Sequence, residues 1–162
     1  DVCCTSSNAI KIVNSIPKDK KIIFIPDKYL GSYIQSQTGR EMILWNGYCP
    51  AHVVISAKQI VQQKKEHLDA VVIVHPESPP DVIEVADKVA STGGILDYVK
   101  NSTRKEFIIG TETGIIHRLK KENPKTSQPE IRPVVAKPAG PEEGTRTIIK
   151  MAKKKSEHDG SG

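Results

Sequence analysis

Two short motifs hold the side chains best suited to bind metal or to move protons. The first reads W-N-G-Y-C-P-A-H over residues 45–52, and the second reads H-P-E-S-P-P over residues 75–80. Each motif follows a short apolar run, at 42–44 and at 70–74. Runs of this length that are rich in β-branched residues and end at Gly or Pro are typical of buried strands that lead into loops. We therefore expect both motifs at the carboxyl ends of strands, the edge where α/β sheets bind ligands.

Cys49 is the candidate metal ligand in the first motif. Gly47 and Pro50 place it on a tight turn, and His52 follows three positions later. An exposed thiolate on such a loop can ligate iron. The alternative is a buried structural thiol, because a free cysteine often behaves as a small hydrophobic residue.

His75 and Glu77 are the candidate proton-transfer pair in the second motif. Residues two apart in an extended segment project to the same face, and Pro76 between them stiffens the backbone. A His–Glu pair can transfer protons near neutral pH, because each group shifts the pKa of the other. The alternative is that ordinary hydrogen bonds within the loop satisfy both side chains.

Ser6 and Thr92 are candidates for binding an anion, either phosphate or carboxylate. Each lies just before a predicted helix, where the backbone amides and the helix dipole favour negative charge. The alternative is simple capping of the helix amino terminus by the hydroxyl group. Three further polar residues at strand ends, Asp27, Lys28 and Glu112, are predicted to be structural.

Strand and helix patterns alternate along the first three quarters of the chain. Beyond the two apolar runs above, strands are predicted at 22–25 and 107–109. Helices are predicted at 6–14, 51–65 and 80–89. This alternation predicts βαβ units and a parallel sheet, and therefore an α/β fold.

Charge and composition argue against binding to nucleic acid. The net charge is +5, and residues 131–162 contain seven Lys/Arg against four acidic residues. That segment has no aromatic residue, whereas single-stranded nucleic-acid binding combines basic residues with stacking aromatics. Binding to nucleic acid is therefore not favoured.

The Pro- and Gly-rich segment 125–162 is predicted to be disordered, since it has too little apolar surface to offset its ordering entropy.

Cysteine count and hydropathy bear on the cellular compartment. Three cysteines cannot form a closed disulfide framework, which favours a reducing, cytoplasmic environment. No stretch of eighteen apolar residues is present, so no transmembrane helix is expected.

Six motifs in order resemble one family, quinolinate synthase, the iron–sulfur enzyme of NAD biosynthesis. They are C-T-S-S-N-A at 4–9, P-D-K-Y-L-G at 26–31, W-x-G-x-C-P-x-H at 45–52, H-P-E-x-P-P at 75–80, A-S-T at 90–92 and G-T-E-x-G at 110–114. The resemblance runs from Asp1 to about Pro124. Any one of these motifs is weak evidence, but six in the family's order and at family-like spacing are strong.

The resemblance implies a fold of parallel-sheet α/β/α domains in the pseudo-threefold quinolinate synthase arrangement around a central cluster. By that comparison, residues 1–48 form part of the middle domain and residues 49–124 form the third domain. The first domain is missing from this sequence. Residues 125–162 form a basic tail that differs from the family.

The resemblance also implies an activity, the condensation of iminoaspartate with dihydroxyacetone phosphate to quinolinate. His75 and Glu77 match residues that contact the substrate and transfer protons, and His52 matches a further catalytic position. Ser6 and Thr92 match residues of the pocket that holds the triose phosphate.

Cys49 matches one of three thiolate ligands of a 4Fe-4S cluster whose fourth iron stays open to substrate. The family's first cluster cysteine lies upstream of this sequence and its last lies in the region that the tail replaces. Cys3 and Cys4 match a motif that is not a cluster position in the family. The chain alone is therefore expected to be incomplete, unless Cys3, Cys4 or another chain supplies ligands.

Two other interpretations stay open. In the first, the chain is a non-catalytic, truncated α/β module that binds a phosphate or a dicarboxylate. In the second, which is less favoured, it is an RNA-associated protein that acts through its lysine tail. The sequence does not predict an oligomeric state.

Overall fold

The computed structural model of the chain describes residues 2–122 and 130–134. The helices within these ranges are α1 (Ala9–Ser15), α2 (Lys28–Thr38), α3 (Pro50–Val53), α4 (Ala57–Glu66), α5 (Pro80–Glu84), α6 (Thr92–Asn101) and α7 (Gly114–Glu122). The strands are β1 (Ile23–Phe24), β2 (Ile43–Leu44), β3 (Val71–Val74), β4 (Lys88–Val89), β5 (Glu106–Gly110) and β6 (Glu130–Pro133). Among residues 2–122 and 130–134, no helix is long and apolar enough to span a membrane.

Strands β3 to β6 form a four-stranded parallel sheet in the order β4-β3-β5-β6. After β3 the chain adds β4 on one side, and then returns across β3 to place β5 on the other side. The carboxyl end of β3 therefore lies at the point where the winding of the sheet reverses. Open α/β sheets bind ligands in the crevice at this switch point.

Both faces of this sheet are covered, and alternate residues of β3 contribute to each side. Val72 and Val74 belong to a buried apolar cluster with Ile108, whereas Ile73 belongs to a second cluster with Phe107. Helices α4 and α5 supply residues to the first cluster, and α6 and α7 supply residues to the second. Burial on both faces explains why the strand reads as a continuous apolar run in the sequence.

The smaller sheet consists of β1 and β2, paired in parallel with Phe24 opposite Leu44. Helix α2 packs closely on this pair, since a Cβ on Gly31 would lie 2.5 Å from a methyl carbon of Leu44. The opposite face carries Ile23 and Ile43, which are 70% and 59% exposed. Within the described part of the chain, this sheet is thus covered on one face only.

The predicted α/β class with parallel strands is confirmed, and a strand is found within each predicted apolar run. Two predicted helices are shorter than expected. The helix predicted at 51–65 is interrupted at 54–56, and the one predicted at 80–89 ends at Glu84. Asp87 explains the second difference, because its backbone and carboxylate both bond to Val72 on β3 and draw residues 88–89 into the sheet.

The predicted disorder of residues 125–162 is wrong for Glu130–Pro133, which forms strand β6 beside β5. The free edge of β5 supplies hydrogen-bond partners that the local composition does not reveal, and Val134 is buried against the core. The other residues of that segment lie outside the described ranges. The division into a middle domain at 1–48 and a third domain at 49–124 stays a prediction.

Replacing Ile73 with Ala should destabilise the fold, because its side chain is fully buried in the central strand. We expect the free energy of unfolding to fall by about 2–5 kcal/mol in urea denaturation. Ile23→Ala, at a strand position 70% exposed, is the matched control and should change it by no more than about 0.5 kcal/mol. An equal fall in the free energy of unfolding in both variants would contradict the assignment of the four-stranded sheet as the core.

Candidate functional site

Two buried histidines meet at the carboxyl edge of the four-stranded sheet. His75 directly follows β3, and its amide donates to the carbonyl of Gly110 at 3.1 Å. His52 lies in the short helix α3. The two rings stack with their centroids 4.4 Å apart and their planes 12° from parallel. The segments that follow β2 and β3 thus place their two imidazoles in contact.

The ring nitrogens of His75 have defined partners. The backbone amide of Glu77 donates to Nδ1 of His75 at 3.3 Å, and Nε2 lies 3.3 Å from the hydroxyl of Ser6. Because Nδ1 accepts, a neutral ring carries its proton on Nε2 and donates it to Ser6. The Ser6 loop, which leads into α1, therefore contacts the edge of the larger sheet.

Both ring nitrogens of His52 face polar partners. Its Nε2 lies 3.1 Å from the hydroxyl of Thr111, the residue that follows β5. Its Nδ1 faces Oε2 of Glu77 at 3.1 Å, which is an ion pair when the ring is protonated.

Glu77 places one carboxylate beside both rings. Its Oε2 is also 3.9 Å from Nδ1 of His75, and the side chain is 22% exposed. A side-chain hydrogen bond with His52 is the largest effect that lowers the pKa of Glu77, although burial opposes it. Glu77 is therefore ionised at neutral pH.

Burial makes His75 a weak base. Loss of solvation is the largest effect, and neighbouring His52 adds to it, so that the pKa of His75 falls to about 4 despite the opposing charge of Glu77. At neutral pH the site thus pairs a neutral imidazole with a carboxylate. Such a pair can donate a hydrogen bond and accept a proton at the same time.

Cys49 is held beside this pair by a buried aspartate. Its amide donates to Oδ2 of Asp27 at 2.8 Å, while Oδ1 of Asp27 accepts from the amide of Leu30 and caps α2. Asp27 is therefore structural, as predicted, and it joins the loop after β1 to the turn that carries the thiol. Burial is the main effect that raises the pKa of Cys49.

Gly47 is required for the close approach of these two loops. Its carbonyl accepts from the amide of Lys28 at 2.8 Å. A Cβ at Gly47 would lie 2.4 Å from the carbonyl oxygen of Pro26, which is a backbone atom and cannot rotate away.

Ligand atoms of Cys49, His52 and Glu77 all lie within 4.8 Å of one another. Ser6 and His75 contact the same group, so the structure brings together five of the six predicted site residues. Their functional roles stay predictions.

Thr92 is the sixth predicted site residue, and it is the first residue of α6. Ser91, which precedes it, caps this helix by accepting from the amide of Gly94 at 3.3 Å. Since β4 pairs with β3, Thr92 lies at the same edge of the sheet, but no hydrogen bond joins it to the histidines among the described residues.

Thr111 is not among the predicted site residues, although it contacts His52. Its position two residues after the apolar run at 107–109, within the G-T-E-x-G motif, is the signal that could have identified it. Cys3 is exposed, and Cys4 packs beside Ala9 and Val13 in the core of the smaller sheet. Neither belongs to the ligand group described above.

Comparison with known proteins decides the family. The sequence profile of the family described as "Quinolinate synthetase A protein" matches residues 1–137. The chain belongs to the quinolinate synthase family. The match extends beyond the end expected near Pro124.

Several quinolinate synthases are about half identical to this chain. The protein named "Quinolinate synthase" from Desulforudis audaxviator is 50% identical over 121 residues, covering 75% of this chain and 40% of the relative. The protein of that name from Trichodesmium erythraeum is 50% identical over 125 residues, covering 77% and 39%. The one from Methanosarcina barkeri is 48% identical over 124 residues, covering 76% and 40%. The chain thus spans about two fifths of the length of these quinolinate synthases.

The described residues do not fit a four-iron cluster on their own. Such clusters are held by several cysteine thiolates, whereas the groups that converge with Cys49 are an imidazole and a carboxylate. Cys3 and Cys4 are the other described cysteines, and both lie outside this group.

Asp27→Ala should destabilise both loops that Asp27 joins. Loss of the helix cap and of the acceptor for the Cys49 amide should lower the free energy of unfolding by roughly 2 kcal/mol. Hydrogen exchange should accelerate at the amides of Leu30 and Cys49. Asp97→Ala, at an exposed position within α6, is the control and should leave both quantities nearly unchanged. Unaltered exchange at Cys49 in Asp27→Ala would contradict this role.

His75 should remain neutral in the metal-free folded protein down to a pKa of about 4. The unfolded chain, with an ordinary histidine pKa near 6.5, binds more protons between these values. Stability should therefore fall as the pH is lowered from about 6.5 to 4, by about 3 kcal/mol at most from this residue. An NMR titration of the His75 ring measures its pKa. A midpoint near 6.5 for His75 would refute the assignment.

Proposed function

We propose that this chain supplies part of the active site of a quinolinate synthase. The reaction is the condensation of iminoaspartate with dihydroxyacetone phosphate, with loss of phosphate and water. The observation that carries the proposal is the buried His52–His75 stack beside the Glu77 carboxylate at the switch point of the sheet. Membership of the family supports it. The activity belongs to a complete enzyme, of which this chain spans about two fifths.

Glu77 and His75 divide the proton transfers between them. The ionised carboxylate of Glu77 accepts a proton from the reacting substrate, and the neutral ring of His75 donates a hydrogen bond from Nε2. At neutral pH the His75 ring is uncharged because burial lowers its pKa. Glu77 is charged because neighbouring His52 lowers the pKa of the carboxyl group. His52 orients Glu77 through the contact at Nδ1.

Ser6 and Thr92 bind the anionic groups of the substrates. The hydroxyl of Ser6 lies 3.3 Å from Nε2 of His75, so an anion bound there would be close to the proton-transfer pair. Thr92 opens the ten-residue helix α6, whose amino terminus favours a phosphate or carboxylate at the same sheet edge.

Cys49 supplies one of the three thiolates of a 4Fe-4S cluster in the complete enzyme. The other two thiolates come from outside the described residues. We further propose that the enzyme acts in the cytoplasm on small-molecule substrates, and that it needs neither a membrane nor a nucleic acid.

The second candidate function is binding without catalysis. The incomplete thiolate set around Cys49 favours it for the chain taken alone. In that case the 162-residue chain binds a phosphate or a dicarboxylate at the Ser6 and His75 edge and shows no turnover.

A chimera separates these functions. Residues 1–124 would replace the matching segment of the Desulforudis audaxviator quinolinate synthase, which is 50% identical. The chimera should form quinolinate, and His75→Ala or Glu77→Gln should each lower kcat by about 100- to 10,000-fold, the usual worth of a general acid or base. His117→Ala, at an exposed position on α7, is the matched histidine control and should retain activity.

Thermal unfolding of each chimera distinguishes lost chemistry from lost folding. A Glu77→Gln chimera that folds and keeps kcat within tenfold of the parent would contradict the assigned role. Full turnover by the 162-residue chain alone would contradict the proposal that the chain is only part of the site.

A further inference from the structure

The short helix α3 carries His52 but is too small to fix the orientation of its ring. It is four residues long, and a helix of a single turn has little stability of its own. The His52 side chain is nevertheless only 7% exposed, and its Nε2 lies 3.1 Å from the hydroxyl of Thr111. A contact from another part of the fold therefore holds this imidazole.

Thr111 is a fixed point because it belongs to the central part of the larger sheet. It directly follows β5, and the last four residues of that strand are buried. The carbonyl of Gly110 accepts from the amide of His75 at 3.1 Å, and Thr111 itself is 2% exposed. The Thr111 hydroxyl is thus held in a constant position relative to His75 and the loop that carries Glu77.

The partners of the His52 ring decide the direction of its hydrogen bonds. A neutral imidazole has one donor nitrogen and one acceptor nitrogen, whereas a carboxylate only accepts. Because Nδ1 of His52 lies 3.1 Å from Oε2 of Glu77, the proton belongs on Nδ1 and is donated to Glu77. Nε2 then holds a lone pair, so the hydroxyl of Thr111 is the donor to it. The other tautomer would place a nitrogen lone pair against the carboxylate.

We propose that Thr111 is a positioning residue of the quinolinate synthase site. Its hydroxyl donates to Nε2 of His52 and keeps the proton on Nδ1 of that ring aimed at the Glu77 carboxylate. This inference rests on the proposed function, since the orientation of Glu77 matters for turnover only if Glu77 accepts the substrate proton. Thr111 acts through His52, in the way that a third group orients the base of a catalytic triad.

Thr111→Val in the chimera tests this role, because valine removes the hydroxyl and keeps nearly the same shape. We expect kcat to fall by about 10- to 100-fold with KM changed by less than about threefold, since a misplaced group costs rate more than binding. Thr111→Ser retains the hydroxyl and should keep kcat within about fivefold of the parent chimera. Thr103→Val, at an exposed position before β5, is the matched control and should keep the parent kcat.

The ring tautomer of His52 gives a second measurement that does not depend on activity. Nitrogen-15 NMR of the metal-free 162-residue chain, at a pH above the usual histidine range, should show the proton on Nδ1 and a hydrogen-bonded lone pair on Nε2. Thr111→Val should move the Nε2 resonance towards that of an unbonded nitrogen, and Thr111→Ser should leave it near the parent value.

Three results would overturn the positioning role of Thr111. They are a proton on Nε2 of His52 in the parent chain, a kcat for Thr111→Val within about threefold of the parent chimera, and equal losses of kcat in the Val and Ser variants. Absence of turnover in the unsubstituted chimera would contradict the proposed function instead. In that case the tautomer of His52 would still test the direction of its hydrogen bond with Thr111.

Discussion

Strands β3 and β5 are hydrogen-bonded neighbours through four residue pairs, from Val71 opposite Phe107 to Val74 opposite Gly110. This pairing sets the position of the next residue on each strand, so that His75 and Thr111 meet at one edge. The hydrogen bond from the His75 amide to the Gly110 carbonyl continues the pairing into the site. Both strands are buried on both faces, which makes this edge one of the most constrained parts of the chain. A shift of one residue in register would exchange the two apolar faces and separate the site residues.

The chemistry of the site follows from placing two imidazoles and one carboxylate where little water reaches. Loss of solvation is the main effect that keeps the His75 ring uncharged, and the neighbouring His52 ring, stacked at 4.4 Å, adds to it. His75 therefore stays neutral, while Glu77 keeps its charge beside His52. The arrangement thus supports the proposed proton-transfer pair, and the thiol of Cys49 lies beside it.

Much of the fold could be predicted from local patterns. The apolar runs identified the strands at 22–25, 42–44, 70–74 and 107–109. For 70–74 and 107–109 the reason is that a parallel strand buried on both faces needs apolar residues throughout. The short strands at 88–89 and 130–133 could not be predicted in this way. Their pairing depends on the edges of β3 and β5, and the side-chain bond of Asp87 to Val72 joins residues fifteen apart in sequence. Long-range hydrogen bonds of this kind leave no periodic signal.

The sequence by itself determined which side chains are available for chemistry: the thiol of Cys49, the imidazoles of His52 and His75, and the carboxylate of Glu77, each placed just after an apolar run. Spacing within one segment was enough to pair His75 with Glu77. Only the tertiary structure decided that His52 stacks on His75, that Thr111 holds His52, and that Asp27 anchors the amide of Cys49. These contacts join segments that are twenty-two to fifty-nine residues apart, and they arise from sheet order and loop packing. Local sequence encodes the identity of a group and its strand, whereas its neighbours depend on how the strands are ordered.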